Sequence, residues 1–146
     1  MKKSVRIICL ILVLSTVLMV PVYADSSVEP RGSAFFSAYG ASLYKTSSTS
    51  FEVWFDANAN AAMMDEIGTS LIEVYRSADG NSWTLMKTYE KEDYPEMIDT
   101  NTAGHMACVT YNYATPGYYY TAYVVFYAKN SMGVGERDVY TYVLQM

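Results

Sequence analysis

The run "GYYYTAYVVFYAK", residues 117–129, admits one regular conformation. With side chains alternating, Tyr118, Tyr120, Ala122, Val124, Phe126 and Ala128 fall on one face, and Tyr119, Thr121, Tyr123, Val125 and Tyr127 on the other. Aromatic and β-branched residues dominate it, and no spacing of three and four sorts apolar from polar positions, so it reads as a long strand. A strand this apolar on both faces has to be covered on one and must either bury or display its rings on the other. The chain therefore has to supply more strands.

It does so on both sides. Tyr39, Ala41 and Leu43 alternate with Gly40, Ser42 and Tyr44 until "TSSTS" turns the chain, and Phe51, Val53 and Phe55 then form a dry face against Glu52, Trp54 and Asp56. The alanine- and asparagine-rich "ANANAAMMDEIG" reads as a loop with one helical turn over 61–66. Ile72 and Val74 alternate with Leu71, Glu73 and Tyr75 in a third strand, and Trp83, Leu85 and Lys87 share one face of a fourth. The acidic stretch 90–106, with Pro95 and Gly104 and no sustained period, predicts a crossover from one sheet to another that includes a short edge strand. Ala107, Val109 and Tyr111 resume the alternation, "NYATPG" turns the chain, "NSMGVGE" is a glycine hairpin after the long strand, and 137–144 closes the sheet. About seven strands without a convincing helix predict an all-β fold, a two-sheet antiparallel sandwich over 33–146.

The stretch "VYRSADGNSWTL" admits two readings. A sialidase-type Asp-box requires Ser-x-Asp-x-Gly-x-x-Trp, whereas here Gly80 follows Asp79 directly, Trp83 arrives one residue early and there is one copy. The hairpin reading fits better, with Asp79, Gly80 and Asn81 taking the positive φ angles of a tight turn. Trp83 is then expected in the core.

Two resemblances follow from these motifs. "TPGYYYTAYVVFYA" resembles strand F of fibronectin type III domains and the turn before it, which implies that the Tyr120 hydroxyl bonds back to that turn as a tyrosine corner; "IEVYRSADGNSWTL" resembles their C and C′ hairpin. The sandwich is accordingly expected to be immunoglobulin- or fibronectin type III-like. Over most of the domain, the order "MDEIG", "IEVYRSADGNSWTLMKTY", "YPEMIDTNTAGH", "VTYNYATPGYYYTAYVVFYAK" resembles a family of small exported proteins of Gram-positive bacteria whose function is unassigned. That family implies no activity, cofactor or catalytic residue, and Cys108 and the ending "RDVYTYVLQM" depart from its pattern.

Residues 1–24 read as a secretory leader: Lys2, Lys3 and Arg6 precede an apolar run, and Val22 and Ala24 stand at the small-residue positions before a cut after Ala24. The run is short for a membrane span, so a secreted protein is expected, with a polar lead-in over 25–32. Cleavage removes three of the ten basic residues and none of the fifteen acidic ones, taking the net charge from −5 to −8. Such a balance disfavours a nucleic-acid partner. It also leaves Cys108 as the sole cysteine, expected to be buried in its apolar strand.

Catalytic chemistry finds little support. His105 is the only histidine, and three residues along a strand place it and Cys108 on opposite faces, against both a shared metal and a Cys–His pair. His105 is read as a loop-end residue. The carboxylates Glu90, Glu92, Asp93, Glu96 and Asp99, joined by Asp65 and Glu66 if the fold brings them close, form either a calcium site or a solvated acidic surface; the alternating Asp rhythm of a dedicated calcium loop is missing. No metal, cofactor or catalytic residue is assigned. Tyr119, Tyr123 and Tyr127 share a strand face beside Tyr140 and Tyr142, and form either a sheet-stabilising tyrosine ladder or an exposed platform for sugar rings or a partner's apolar patch. The expectation is a non-catalytic binding or cell-envelope-associated module for a cell-wall or extracellular polysaccharide or a protein. The alternatives are a self-assembling matrix component and a carbohydrate-active enzyme.

Overall fold

The computed structural model describes residues 34–60 and 63–146. The leader over 1–24 and the lead-in over 25–32 lie outside the described residues. Nine strands follow in order: β1 (Phe36–Lys45), β2 (Phe51–Ala59), β3 (Met64–Ser77), β4 (Thr84–Glu90), β5 (Ile98–Thr102), β6 (Gly104–Tyr111), β7 (Tyr119–Asn130), β8 (Gly133–Tyr140) and β9 (Leu144–Gln145). A single 3₁₀ turn, Pro95–Met97, precedes β5, and the described residues hold no α-helix. The strands form two antiparallel sheets, one ordered β1-β2-β6, the other β4-β3-β7-β8 with β5 added to β3 and β9 to β7. The sandwich is thus as expected, and the two strands beyond the expected seven, β5 and β9, are short.

The dry faces read from the sequence meet in the core. Phe51, Val53 and Phe55 of β2 pack with Ile72 and Val74 of β3 and with Tyr120, Ala122, Val124 and Phe126 of β7, all buried. Burial of side chains this size stabilises by about 1.5–3 kcal/mol each. The Phe51 ring lies 5.1 Å from that of Tyr120 and 5.2 Å from that of Tyr111. The Tyr120 hydroxyl accepts the Thr115 amide at 2.8 Å, the back-bond to the preceding turn that the resemblance implied. The acidic crossover also runs as expected, with β5 in the larger sheet and β6 in the smaller.

Three segments differ from the sequence reading. The helical turn over 61–66 is absent where the chain is described: β3 already begins at Met64. Its first half is flanked on both sides, with Glu66 opposite Thr100 of β5 and Lys129 of β7, and a register shift between Thr69 and Leu71 breaks the alternation. Ile67, Gly68 and Thr69 are buried in succession, a pattern that carries no period of two. In β4, a register shift sets Val74 opposite Lys87 but Tyr75 opposite Leu85, leaving Met86 as the extra residue. This bulge puts Leu85 on the opposite face from Lys87, and Trp83 is half-buried at the outer surface, not in the core. Finally, the hairpin after β7 turns on Ser131 and Met132 alone; residues 133–136 belong to β8, which ends at Tyr140, and the chain returns as β9 beside Tyr119 and Tyr120.

The turn at Asp79 also works differently. Gly80 alone takes a positive φ, +76°. Asp79 Oδ1 accepts the amides of Asn81 and Ser82 at 2.9 Å and the Ser77 hydroxyl at 2.9 Å, while Ser77 Oγ accepts the Gly80 amide at 2.8 Å.

Candidate functional site: an aromatic groove on the larger sheet

The pairing of β3, β7 and β8 assembles one outward row from distant sequence. Glu73 lies opposite Tyr123, and Tyr123 opposite Tyr140; one pair further on, Tyr75 faces Thr121. The Tyr123 and Tyr140 rings lie 5.0 Å apart, tilted by 44°. Together with Trp83 and Val143, the tyrosines bound a groove of about 450 Å³ lined by Tyr75, Trp83, Thr121, Tyr140, Thr141 and Val143. Among the described residues, no lysine or arginine lines it.

Its floor is fixed by hydrogen bonds. Thr121 Oγ1 donates to the Thr141 carbonyl at 3.0 Å, Thr141 Oγ1 accepts the Ala122 amide at 2.9 Å, and the Thr141 amide returns to the Ala122 carbonyl at 2.9 Å. The rings are tethered as well. Tyr75 donates its hydroxyl to Glu73 Oε2 at 2.5 Å, and this bond, with burial and the Glu73 charge behind it, pushes the phenol up to about 12. Tyr123 is raised by burial first and then by the nearby Asp138 carboxylate. Phenols held protonated by neighbouring carboxylates remain neutral stacking surfaces across the physiological range. Glu73 and Asp138 serve here as anchors for aromatic rings.

Of the five tyrosines expected on this face, the structure brings two together. Tyr123 and Tyr140 stack, and Tyr140 is 66% exposed. Tyr119 stands half-buried at the β9 end, opposite Gln145. Tyr142 projects beyond the end of β8, 93% exposed. Tyr127 is only 8% exposed: the Lys91 ammonium lies 3.6 Å from its ring centroid, and Glu66 pairs with Lys91 at 3.5 Å and Lys129 at 3.3 Å around it. Tyr127 therefore belongs to a covered cation–π contact and not to an exposed platform. Sequence reasoning missed Tyr75, although its outward position was legible, because the neighbour of β3 was not. Trp83 was missed because the β4 bulge reverses its face.

His105 and Cys108 do fall on opposite faces of β6. His105 pairs with Ala57, on the dry side, and Cys108 with Trp54, on the outer side. The His105 ring packs 5.7 Å from Phe55, its Nε2 is 2.8 Å from the Glu96 carbonyl and its Nδ1 is 3.9 Å from Asp99. His105 is thus the second residue of β6, tying the crossover to the sandwich. Cys108 is half-buried, and burial, then the nearby Glu52 carboxylate, pushes its thiol up, away from the thiolate a nucleophile requires. Of the carboxylates considered for calcium, Glu66 of β3 is held by lysines and Asp99 of the crossover accepts the Thr100 amide at 2.7 Å. Among the described residues, no three His, Cys, Asp or Glu side chains converge in a way that could hold a metal ion. No protein-family model matches the chain, and no curated protein matches it.

Proposed function

We propose that this is an exported, non-catalytic binding module that captures a cell-envelope polysaccharide in the groove between Tyr75, Trp83 and Tyr140. One observation carries the reading: aromatic rings from two strands and one loop, Tyr75, Tyr140 and Trp83, converge over a hydrogen-bonded threonine floor. Sugar rings present an apolar C–H face to an aromatic ring and hydroxyls to the surrounding acceptors, which suits that combination. Export is supported by the basic start and apolar run of residues 1–24. A fibronectin type III-like layout is supported by the pairing of the segments that resemble strands C′, C and F as neighbours, in the order β4-β3-β7. The motif order quoted above supports membership of the family of small exported Gram-positive proteins.

Retention of the 32–146 domain on peptidoglycan and on envelope polysaccharide columns tests the reading. Wild type is expected to be retained and a Tyr75→Ala, Tyr140→Ala double variant to elute early; equal elution of folded wild type and variant would remove the groove from consideration. A self-assembling role has a separate observation in its favour, since β1 is an edge strand with no charged residue before Lys45. Concentration-dependent growth in size-exclusion chromatography would support that role.

A further inference from the structure

The opposite face of the molecule carries a second concavity with different chemistry. On the outer side of the β1-β2-β6 sheet, register aligns Gly40 with Asp56, Ser42 with Trp54 and Tyr44 with Glu52, and from the other side Met106, Cys108 and Thr110. A groove of about 670 Å³ opens there, lined among others by Gly40, Ser42, Tyr44, Trp54, Asp56 and Met106. The space over Gly40 is free: a Cβ at that position would meet nothing within 4 Å. Trp54 is 37% exposed, and its indole Nε1 donates to Glu52 Oε2 at 2.7 Å, which fixes the ring at the groove wall. Asp56 Oδ1 accepts the Asn58 side chain at 2.9 Å, and among the described residues Asp56 forms no ion pair.

Glu52, Trp54 and Asp56 therefore stand in a row, acid, aromatic, acid, on one strand face that carries no lysine, arginine or histidine from β1, β2 or β6 among the aligned positions. Two half-buried carboxylates flanking an exposed indole, with no cation among the aligned positions, favour a positive occupant, whose charge the carboxylates balance and which the face of the ring attracts. We infer that the Trp54 groove is a docking site for a lysine or arginine side chain of a protein partner. The site is separate from the polysaccharide groove, because Trp54 lies on the smaller sheet and Tyr75 and Tyr140 on the larger.

The test follows the Trp54 indole N–H in ¹H–¹⁵N spectra of the 32–146 domain, assigned by its persistence in a Trp83→Phe variant. The probes are acetyl-Gly-Lys-Gly-amide, its norleucine counterpart, which keeps the alkyl chain without the charge, and a neutral N-acetylglucosamine oligomer. The lysine peptide is expected to shift the resonance saturably, with norleucine at least about fivefold weaker, as an exposed cation–π contact plus a carboxylate implies. Asp56→Asn should weaken the lysine peptide about threefold with the melting temperature unchanged, the worth of one exposed ion pair. Trp54→Leu, read through neighbouring β1 and β2 amides, should abolish the response; should that variant not fold, Asp56→Asn decides. Equal response to lysine and norleucine, a response to the sugar alone, or no saturable shift would each overturn the proposal.

Discussion

Tyr120 shows what a single residue contributes to the frame. Its ring is fully buried against Phe51 and Tyr111, and its hydroxyl is the partner of the Thr115 amide. Tyr120→Phe keeps the ring and leaves that amide without its acceptor, which costs about 1–3 kcal/mol; urea denaturation should show the midpoint falling with the slope unchanged. Asp79 provides a pH-dependent counterpart. Three hydrogen-bond donors lower its carboxyl from 3.8 to about 2, with the Ser82 and Asn81 amides foremost. The folded value lies below the unfolded one, so its contribution is present above about pH 4 and is lost as pH falls through about 2. Melting temperatures measured from pH 6 to pH 2 should fall more steeply for wild type than for Asp79→Asn, whose amide does not titrate. Tyr120 was legible from "TPGYYY" because the motif is local. Trp83 was not, since its face depends on a bulge set by the partner strand.

Whole strands were readable where one face is dry and the other wet. β2 met that condition, with its buried positions matching the alternation residue by residue; on β7 the expected dry face is buried from Tyr120 to Ala128, and Thr121 and Tyr127 of the second face are buried as well. β3 did not: strands on both sides of its first half bury Ile67, Gly68 and Thr69 together, and Gly68 sits at φ +153°. A Cβ on Gly68 would collide with the Met97 carbonyl and approach His105 Cδ2 to 3.0 Å, so the crossover lies directly on this glycine. Gly68→Ala is expected to destabilise by about 2–4 kcal/mol through strain and displacement of the Pro95–Met97 turn; the effect should appear as a lower melting temperature with faster amide exchange in β5. At the other end, β9 is short but well tied. Met146 is buried, its amide donates to the Tyr118 carbonyl at 3.0 Å and its carbonyl accepts the Gly117 amide at 2.8 Å. Deleting residues 144–146 should therefore loosen the turn before β7 and lower the melting temperature, whereas trimming an unpaired tail would leave it unchanged.

At the scale of the whole molecule, the two sheets turn two different aromatic surfaces to solvent. Strand pairing between residues about fifty positions apart in sequence sets Glu73 opposite Tyr123 and Tyr75 opposite Thr121, and no local pattern announces such a join; the tyrosine platform was legible as a face but not as a site. Its composition was visible as an excess of tyrosine, yet Lys91 covers Tyr127 while Trp83 completes the groove, and both follow from tertiary placement. The central claim is that the Tyr75–Tyr140 groove is where the module holds polysaccharide. The most direct test is a ¹H–¹⁵N chemical-shift titration of the 32–146 domain with soluble fragments of envelope polysaccharide. The account predicts saturable shifts concentrated at Tyr75, Thr121, Tyr140, Thr141 and Val143; shifts confined to the β1-β2-β6 sheet, or none at saturating fragment, would contradict it.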